Sequence, residues 1–295
     1  MICDKQSEAN WGDKIIEQLS RDLKQEFPEM KGLSRSNLFY AKQFYTFYST
    51  SMVQQLVGQI PWGHNILIFT KSKNINEANF YLSQTIANNW SRDVLALQLK
   101  TNLYTRTGKA ITNFDNTLPQ PLSELACQTL KDPYIFDFLN LQTNAKERDI
   151  ETQLLKHITK FLLELGKGFA FVGRQYYLEI ADTDYYIDLL FYHIHLKCYV
   201  VIELKNTKFI PEYAGKLNFY LSAVDTLLKQ RDDNPTIGIL LCRDKNNLEA
   251  EFALRDIGKP MGVSEFQFIE NLPENLKSSL PTIEELELKK LEDIN

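Results

Sequence analysis

Residues 185–205 read YYIDLLFYHIHLKCYVVIELK, two apolar runs of strand length on either side of the turn Ile194-His195-Leu196. In the first run every neighbour of Asp188, from Tyr186 to Phe191, is apolar or aromatic. A carboxylate in such surroundings costs on the order of several kcal/mol of desolvation unless something compensates it. The second run repeats the anomaly. Strand side chains alternate with period 2, which puts Glu203 and Lys205 on one face and Ile202 and Leu204 on the other. Folded as an antiparallel hairpin about residues 194–196, the two runs bring Asp188 and Glu203 together at the open end. Two carboxylates and an amine in an apolar setting point to a hard divalent cation, Mg²⁺ or Mn²⁺. Oxygen donors suit Mg²⁺, which keeps part of its water shell for a substrate phosphate.

The surrounding sequence supports a sheet flanked by helices. Residues 147–165 carry Ile150, Leu154, Leu155, Ile158, Phe161, Leu162 and Leu165 at helical spacing, and Gly166 and Gly168 end that helix. Extended runs at 169–173 and 175–181 follow, and Asp182-Thr183-Asp184 turns the chain into the first quoted strand. Beyond Lys205, residues 212–229 read as a helix, 236–242 as a buried strand and 247–257 as a helix. An acidic helix is expected from about Ile283 to the end. This order of elements predicts a mixed α/β domain with a helix-flanked sheet.

The first half has a different period. Helices are expected at 11–27, ended by Pro28; after Ser34 or Ser36; at 76–88; and from Ser91 onward with Val94, Leu95, Leu97, Leu99 and Leu103. Ile60-Pro61-Trp62-Gly63-His64-Asn65 reads as a loop, and the Asn-, Pro- and Thr-rich stretch 108–121 as a loop or small wing. The polar residues 142–146 are the expected linker. They separate a helical domain, 1–141, from an α/β domain, 147–295.

Composition narrows the function. Of 295 residues, 44% are hydrophobic and 24% charged, the profile of a globular protein. No stretch approaches the roughly 18–20 apolar residues of a membrane span, and the N-terminal sequence lacks the pattern of a secretory signal. The four cysteines form no CxxC pair, which fits a reducing cytoplasm rather than a zinc ribbon or disulfide scaffold. Residues 1–145 hold 14 basic against 13 acidic residues, and 146–295 hold 19 against 25, so no strongly basic face advertises itself. Walker A, HExxH and Gly-x-Ser-x-Gly patterns are all missing.

Asp188, fourteen residues and then Glu203-x-Lys205, on adjacent strands after a helix, resembles the PD-(D/E)XK nuclease superfamily, with Ile187 in the place of the nominal Pro. Lys216-Leu-Asn-Phe-Tyr220 resembles its Q-x-x-x-Y element with Lys in the Gln position. Longer runs, including 169–175, 186–192, 201–205 and 235–242, together with Ile60–Asn65 and Asn89-Trp-Ser-Arg-Asp93, look like the bacterial YhcG-like nuclease group. The resemblance implies a restriction-endonuclease-like α/β domain behind an all-α, winged-helix-like N-terminal domain. It further implies metal-dependent endonuclease activity on DNA. Asp188 and Glu203 would be metal ligands, with the Leu204 carbonyl as a third oxygen, and Lys205 would orient the attacking water or stabilise phosphate charge. Lys216 and Tyr220 would complete the catalytic set. Superfamily members often add a Glu from the first helix, for which Glu151 is the choice and Glu147, one turn earlier, the alternative.

Lys31, Arg35 and Lys42 are the candidates for phosphate contacts by the first half. The partner expected is DNA, without a membrane, and self-association is open. His193 and His195 flank a turn and read as solvated surface, and His64 as the anchor of a loop. Two rival functions share the fold: a DNA-binding or scaffold protein without turnover, and an RNase using the same site.

Overall fold

Polar caps and apolar stripes account for the helices of the N-terminal half. The structure, a computed structural model, describes residues 12–49, 54–139 and 145–268. The expected acidic helix from Ile283, and residues 142–144 of the expected linker, lie outside them. The chain divides after Tyr104 into two compact units.

The first unit contains α1 (Gly12–Glu26), α2 (Arg35–Tyr48), α3 (Gln54–Val57), α4 (Trp62–Lys71), α5 (Ile75–Asn88) and α6 (Arg92–Lys100), with α7 (Leu103–Arg106) crossing the boundary. Ser34, Asn74 and Ser91 cap α2, α5 and α6 by accepting from the N–H groups of Asn37, Glu77 and Val94. Asn89 ends α5 at φ +50. Tyr48, Ile68, Phe69, Ala78, Tyr81, Leu82 and Leu95 form the core. Residues 60–65 depart from the expected loop, since α4 already starts at Trp62. The Pro61 carbonyl accepts from His64 and Asn65 N–H, and the buried Asn65 amide donates to Val57 O at 2.9 Å. No strand occurs among the described residues of this unit.

The second unit is built on one mixed sheet of order β1-β7-β6-β5-β4-β3, with β2 also paired to β7. Its elements are β1 (Ile111–Thr112), α8 (Phe114–Thr117), α9 (Leu122–Thr129), β2 (Tyr134–Ile135), α10 (Glu147–Lys156), α11 (Ile158–Leu165), β3 (Phe169–Ile180), β4 (Thr183–His193), β5 (Cys198–Lys208), α12 (Pro211–Leu227), β6 (Ile237–Asp244), α13 (Asn247–Leu254) and β7 (Met261–Gln267). Strands β3, β4 and β5 are antiparallel, whereas β5, β6 and β7 are parallel. One face packs on α10 and α11, the other on α12 and α13. Covering both faces explains why β5 and β6 read as almost unbroken apolar runs.

Several elements differ from the sequence reading. The 147–165 helix breaks at His157 (φ −114, ψ 36) into α10 and α11. The runs 169–173 and 175–181 are one strand, irregular between Phe171 and Gly173. His193 is 1% exposed, not solvated. Its Nδ1 accepts from Leu196 N–H, its ring meets Phe169 edge-on, and burial followed by the nearby His195 pushes its pKa down to about 4. Gly168, at φ +101, is required beside it, because a Cβ there would come 2.7 Å from His193 Cε1.

The boundary also moves. Residues 105–139 belong to the sheet unit, not to a helical domain ending at 141. Ile111 pairs with Val263, and Tyr134 with Phe266. Glu164 of α11 gathers Arg106 Nη1 at 2.6 Å and Ile135 N–H at 2.8 Å, and Lys131 donates to the Glu164 carbonyl. Asp132 accepts from Glu265 N–H and pairs with Lys245. Strands of two residues carry no periodic signal, whereas the polar 142–146 stretch imitates a linker.

Removing one partner of a buried ion pair costs about 3–5 kcal/mol. A chain beginning at Thr105 is therefore expected to melt cooperatively, whereas one beginning at Gln142, which strips Glu164 of Arg106 and Lys131, should be largely unfolded by circular dichroism.

Candidate active site

The site lies where β4 and β5 part. Their ladder runs from His193–Cys198 to Leu189–Ile202 and stops there. At the next position side chains take over: Asp188 N–H donates to Glu203 Oε1 at 3.3 Å, and Leu204 N–H to Asp188 Oδ2 at 3.0 Å. Each carboxylate thus satisfies a backbone donor of the opposite strand. Asp188 is 9% exposed and Glu203 only 1%.

Two ammonium groups flank the pair. Lys216 of α12 donates to Glu203 Oε2 at 3.0 Å and lies 5.0 Å from the centroid of the Tyr220 ring, one helical turn along. Lys205 donates to the Leu204 carbonyl at 2.9 Å and to Glu147 Oε2 at 3.2 Å. Its Nζ is 3.9 Å from Asp188 Oδ2 and 3.8 Å from Glu203 Oε2. Burial, then repulsion from Asp188, pushes the Glu203 pKa up to about 7 against the pull of both lysines. Burial disfavours charge on Lys205, but Asp188, Glu203 and Glu147 together outweigh it, and its pKa is raised. Lys216 is raised likewise, with Glu203 overcoming desolvation.

The two helix carboxylates have separate places. Ile150 and Leu154 bury one stripe of α10, and Glu151, on the same side, is carried inward to 3% exposure. Glu151 Oε2 accepts from Gln175 Nε2 at 2.9 Å, and the same Nε2 reaches Asp188 Oδ1 at 3.3 Å. Burial raises the Glu151 pKa, opposed by the Gln175 bond and reinforced by Asp188. Glu147, at the start of α10, instead binds Lys205 and the Asn206 N–H.

The structure therefore brings together Asp188, Glu203, Lys205, Lys216, Tyr220 and Glu151. Gln175 is the member that sequence reasoning missed. The carbonyl of Leu204, expected as a ligand, is bonded by Lys205. In the helical unit, Lys31 and Arg35 are exposed on either side of the Ser34 cap, and Lys42 is half-buried along α2. The His64 ring bonds the Trp90 carbonyl at 3.0 Å.

The donor set suits a hard cation. Asp188, Glu203, Glu151 and Glu147 set four carboxylates against the two ammoniums of Lys205 and Lys216, an excess of two when all are ionised. Among the described residues no three acidic, His or Cys side chains already converge as a cage. Asp188 and Glu203 would hold the ion while water fills the remaining positions, as Mg²⁺ prefers.

A family model described as the YhcG PDDEXK nuclease domain matches residues 127–281, and one described as the DUF1016 N-terminal domain matches residues 1–106. "Putative nuclease YhcG" of Escherichia coli (strain K12) is 30% identical over 297 residues, covering 89% of this chain and 78% of that protein. Two solved structures share less. A repair endonuclease from Pyrococcus abyssi is 16% identical, with a TM-score of 0.31, over 44% of this chain and 49% of its own. An EndoMS–dsDNA complex is 17% identical, with a TM-score of 0.31, over 47% of this chain and 49% of its own.

The Glu203–Lys216 contact has a pH signature. A carboxyl held at about 7 in the folded state, against its ordinary 4.5, binds a proton that the unfolded chain releases. The cation-free protein should therefore lose stability as pH rises from about 4.5 through 7. Lys216→Met removes the nearest offsetting charge, so its melting temperature should match wild type near pH 5 and fall below it at pH 8. Parallel melting curves across pH would not test the contact in the protein's favour: they would show that it carries no weight.

Proposed function

We propose that this chain, which belongs to the YhcG PDDEXK nuclease family, is a divalent-metal-dependent endonuclease hydrolysing phosphodiester bonds in DNA. The observation that carries this reading is the fork at which Asp188 and Glu203 face one another across parting strands, with Lys205 on the same side. Asp188 and Glu203 would hold the cation, with Glu151 beside them, and the cation supplies Lewis-acid polarisation of the phosphate. Lys205 Nζ, close to both carboxylates, donates to the attacking water or to a phosphate oxygen as charge builds there. Glu147 and the Leu204 carbonyl keep that ammonium in place until substrate arrives. Lys216 offsets the charge of Glu203 and so favours its ionised, ligating form, and Tyr220 packs against the Lys216 ammonium.

The helical unit is assigned to DNA through Lys31, Arg35 and Lys42, whose phosphate contacts carry no sequence preference. The cysteine usage fits a cytoplasmic protein: Cys127, Cys198 and Cys242 are unpaired thiols. No helix among the described residues is long and apolar enough to cross a membrane.

Cleavage of linear, supercoiled, branched and single-stranded DNA and of RNA, with Mg²⁺ and with Mn²⁺, tests the reading. Asp188→Asn and Glu203→Gln should each abolish cleavage with folding intact. Lys205→Ala should lower turnover by about 100–1,000-fold, the usual loss for one such electrostatic donor, while Mn²⁺ and DNA binding persist. Near wild-type cleavage by either carboxylate variant would sink the site assignment. Cleavage of RNA alone would move the substrate class, and tight DNA binding without turnover would favour the scaffold reading.

Residues 105–295 alone should bind DNA more weakly than the full chain, with a shallower dependence of affinity on salt. An unchanged slope would assign the helical unit to protein assembly instead.

A further inference from the structure

Among the described non-glycine residues with positive φ, Asn89, Asn102, Ala181, Asp182 and Lys197 lie at helix ends or turns. Gln175 alone, at φ +44, lies inside a strand. Glutamine has no special tolerance for that region, and Gln175 is exposed, so core packing does not hold it there. Its position is informative. Arg174–Leu189 and Tyr176–Ile187 pair on either side, which sets Gln175 opposite Asp188. Side-chain facing also switches at this point: Ile187 packs with the α12 and α13 side, and Leu189, two residues on, with the α10 and α11 side. The twist delivers one carboxamide nitrogen to Glu151 Oε2 at 2.9 Å and to Asp188 Oδ1 at 3.3 Å.

From this geometry we infer that Gln175 is the positioning residue of the cation site. Its –NH₂ group stands between Glu151 and Asp188, bonded to both, and holds the two carboxylates in place to receive the ion. Strained backbone persists where its surroundings over-determine it, and it clusters at ligand clamps. Here it aims a neutral group at two carboxylates that would otherwise repel. The inference rests on the metal-dependent reading above and deepens it by naming a residue that sets cation affinity without carrying charge.

Calorimetric titration of the full chain with MnCl₂, and melting in EDTA against MnCl₂, separate the two. Gln175→Gly keeps the left-handed backbone and removes the amide, and should weaken Mn²⁺ binding by about 10–100-fold, as loss of a supporting group around a metal does. Gln175→Glu should melt lower than wild type in EDTA, where three carboxylates crowd together, and gain more from Mn²⁺. Wild-type Mn²⁺ affinity in Gln175→Gly would overturn the inference. So would a Gln175→Glu shift that is equal with and without Mn²⁺, the signature of a merely structural role. Absence of any Mn²⁺ response in wild type would remove the metal-dependent reading itself, and this inference with it.

Discussion

A carboxylate buried to 1% exposure where two strands separate is the constraint around which the second unit is arranged. Glu203 cannot be left alone there, because an unpaired buried charge is far costlier than a paired one. Its compensation comes from three directions: Lys216 from the helix above, Lys205 from its own strand, and the N–H of Asp188 from the neighbouring strand. Burial, and then repulsion from Asp188, still leave the Glu203 pKa raised against the pull of both lysines.

The sheet makes that arrangement available. Strand β5 is its pivot, antiparallel to β4 on one side and parallel to β6 on the other. Its pairing to β6 continues through Lys205, while its pairing to β4 ends at Ile202. Over Glu203–Lys205 the strand is thus supported from one side and open on the other. Backbone donors exposed by the opening are met by the two carboxylates themselves, which fixes their orientation before any ligand arrives. Helix α10 closes the open side with Glu147 and Glu151, and β3 closes it with Gln175. Farther away, Glu164 binds the 105–135 segment to α11 and completes the far edge of the sheet.

The two helix carboxylates show how tertiary contacts divide work that one sequence stretch leaves undivided. Glu147 and Glu151 are a helical turn apart and chemically alike. One lies at the first residue of α10, half-exposed, where it binds the Lys205 ammonium and the Asn206 N–H. The other sits within the apolar stripe and meets Gln175 and, through it, Asp188. The first holds a cationic side chain; the second is tied to the strand carboxylate Asp188 through Gln175.

Asp188, Glu203 and Lys205 were legible in the chain because each breaks an apolar strand, and period 2 alone assigns Glu203 and Lys205 to one face. The major helices, the β3–β4–β5 meander and the resemblance carried by Lys216 and Tyr220 were legible for the same kind of reason: they rest on local periodicity or on spacing within a few dozen residues. Gln175, the buried His193, the strands β1, β2 and β7, and the division after Tyr104 were not. A positive φ in mid-strand leaves no mark on composition, and a strand of two residues has no period. Ile111 finds Val263 and Arg106 finds Glu164 only after the intervening chain has folded. Local sequence thus determined which groups would be costly to bury, whereas long-range pairing decided which groups came to share that cost, because burial is a property of the assembled layers and not of any segment.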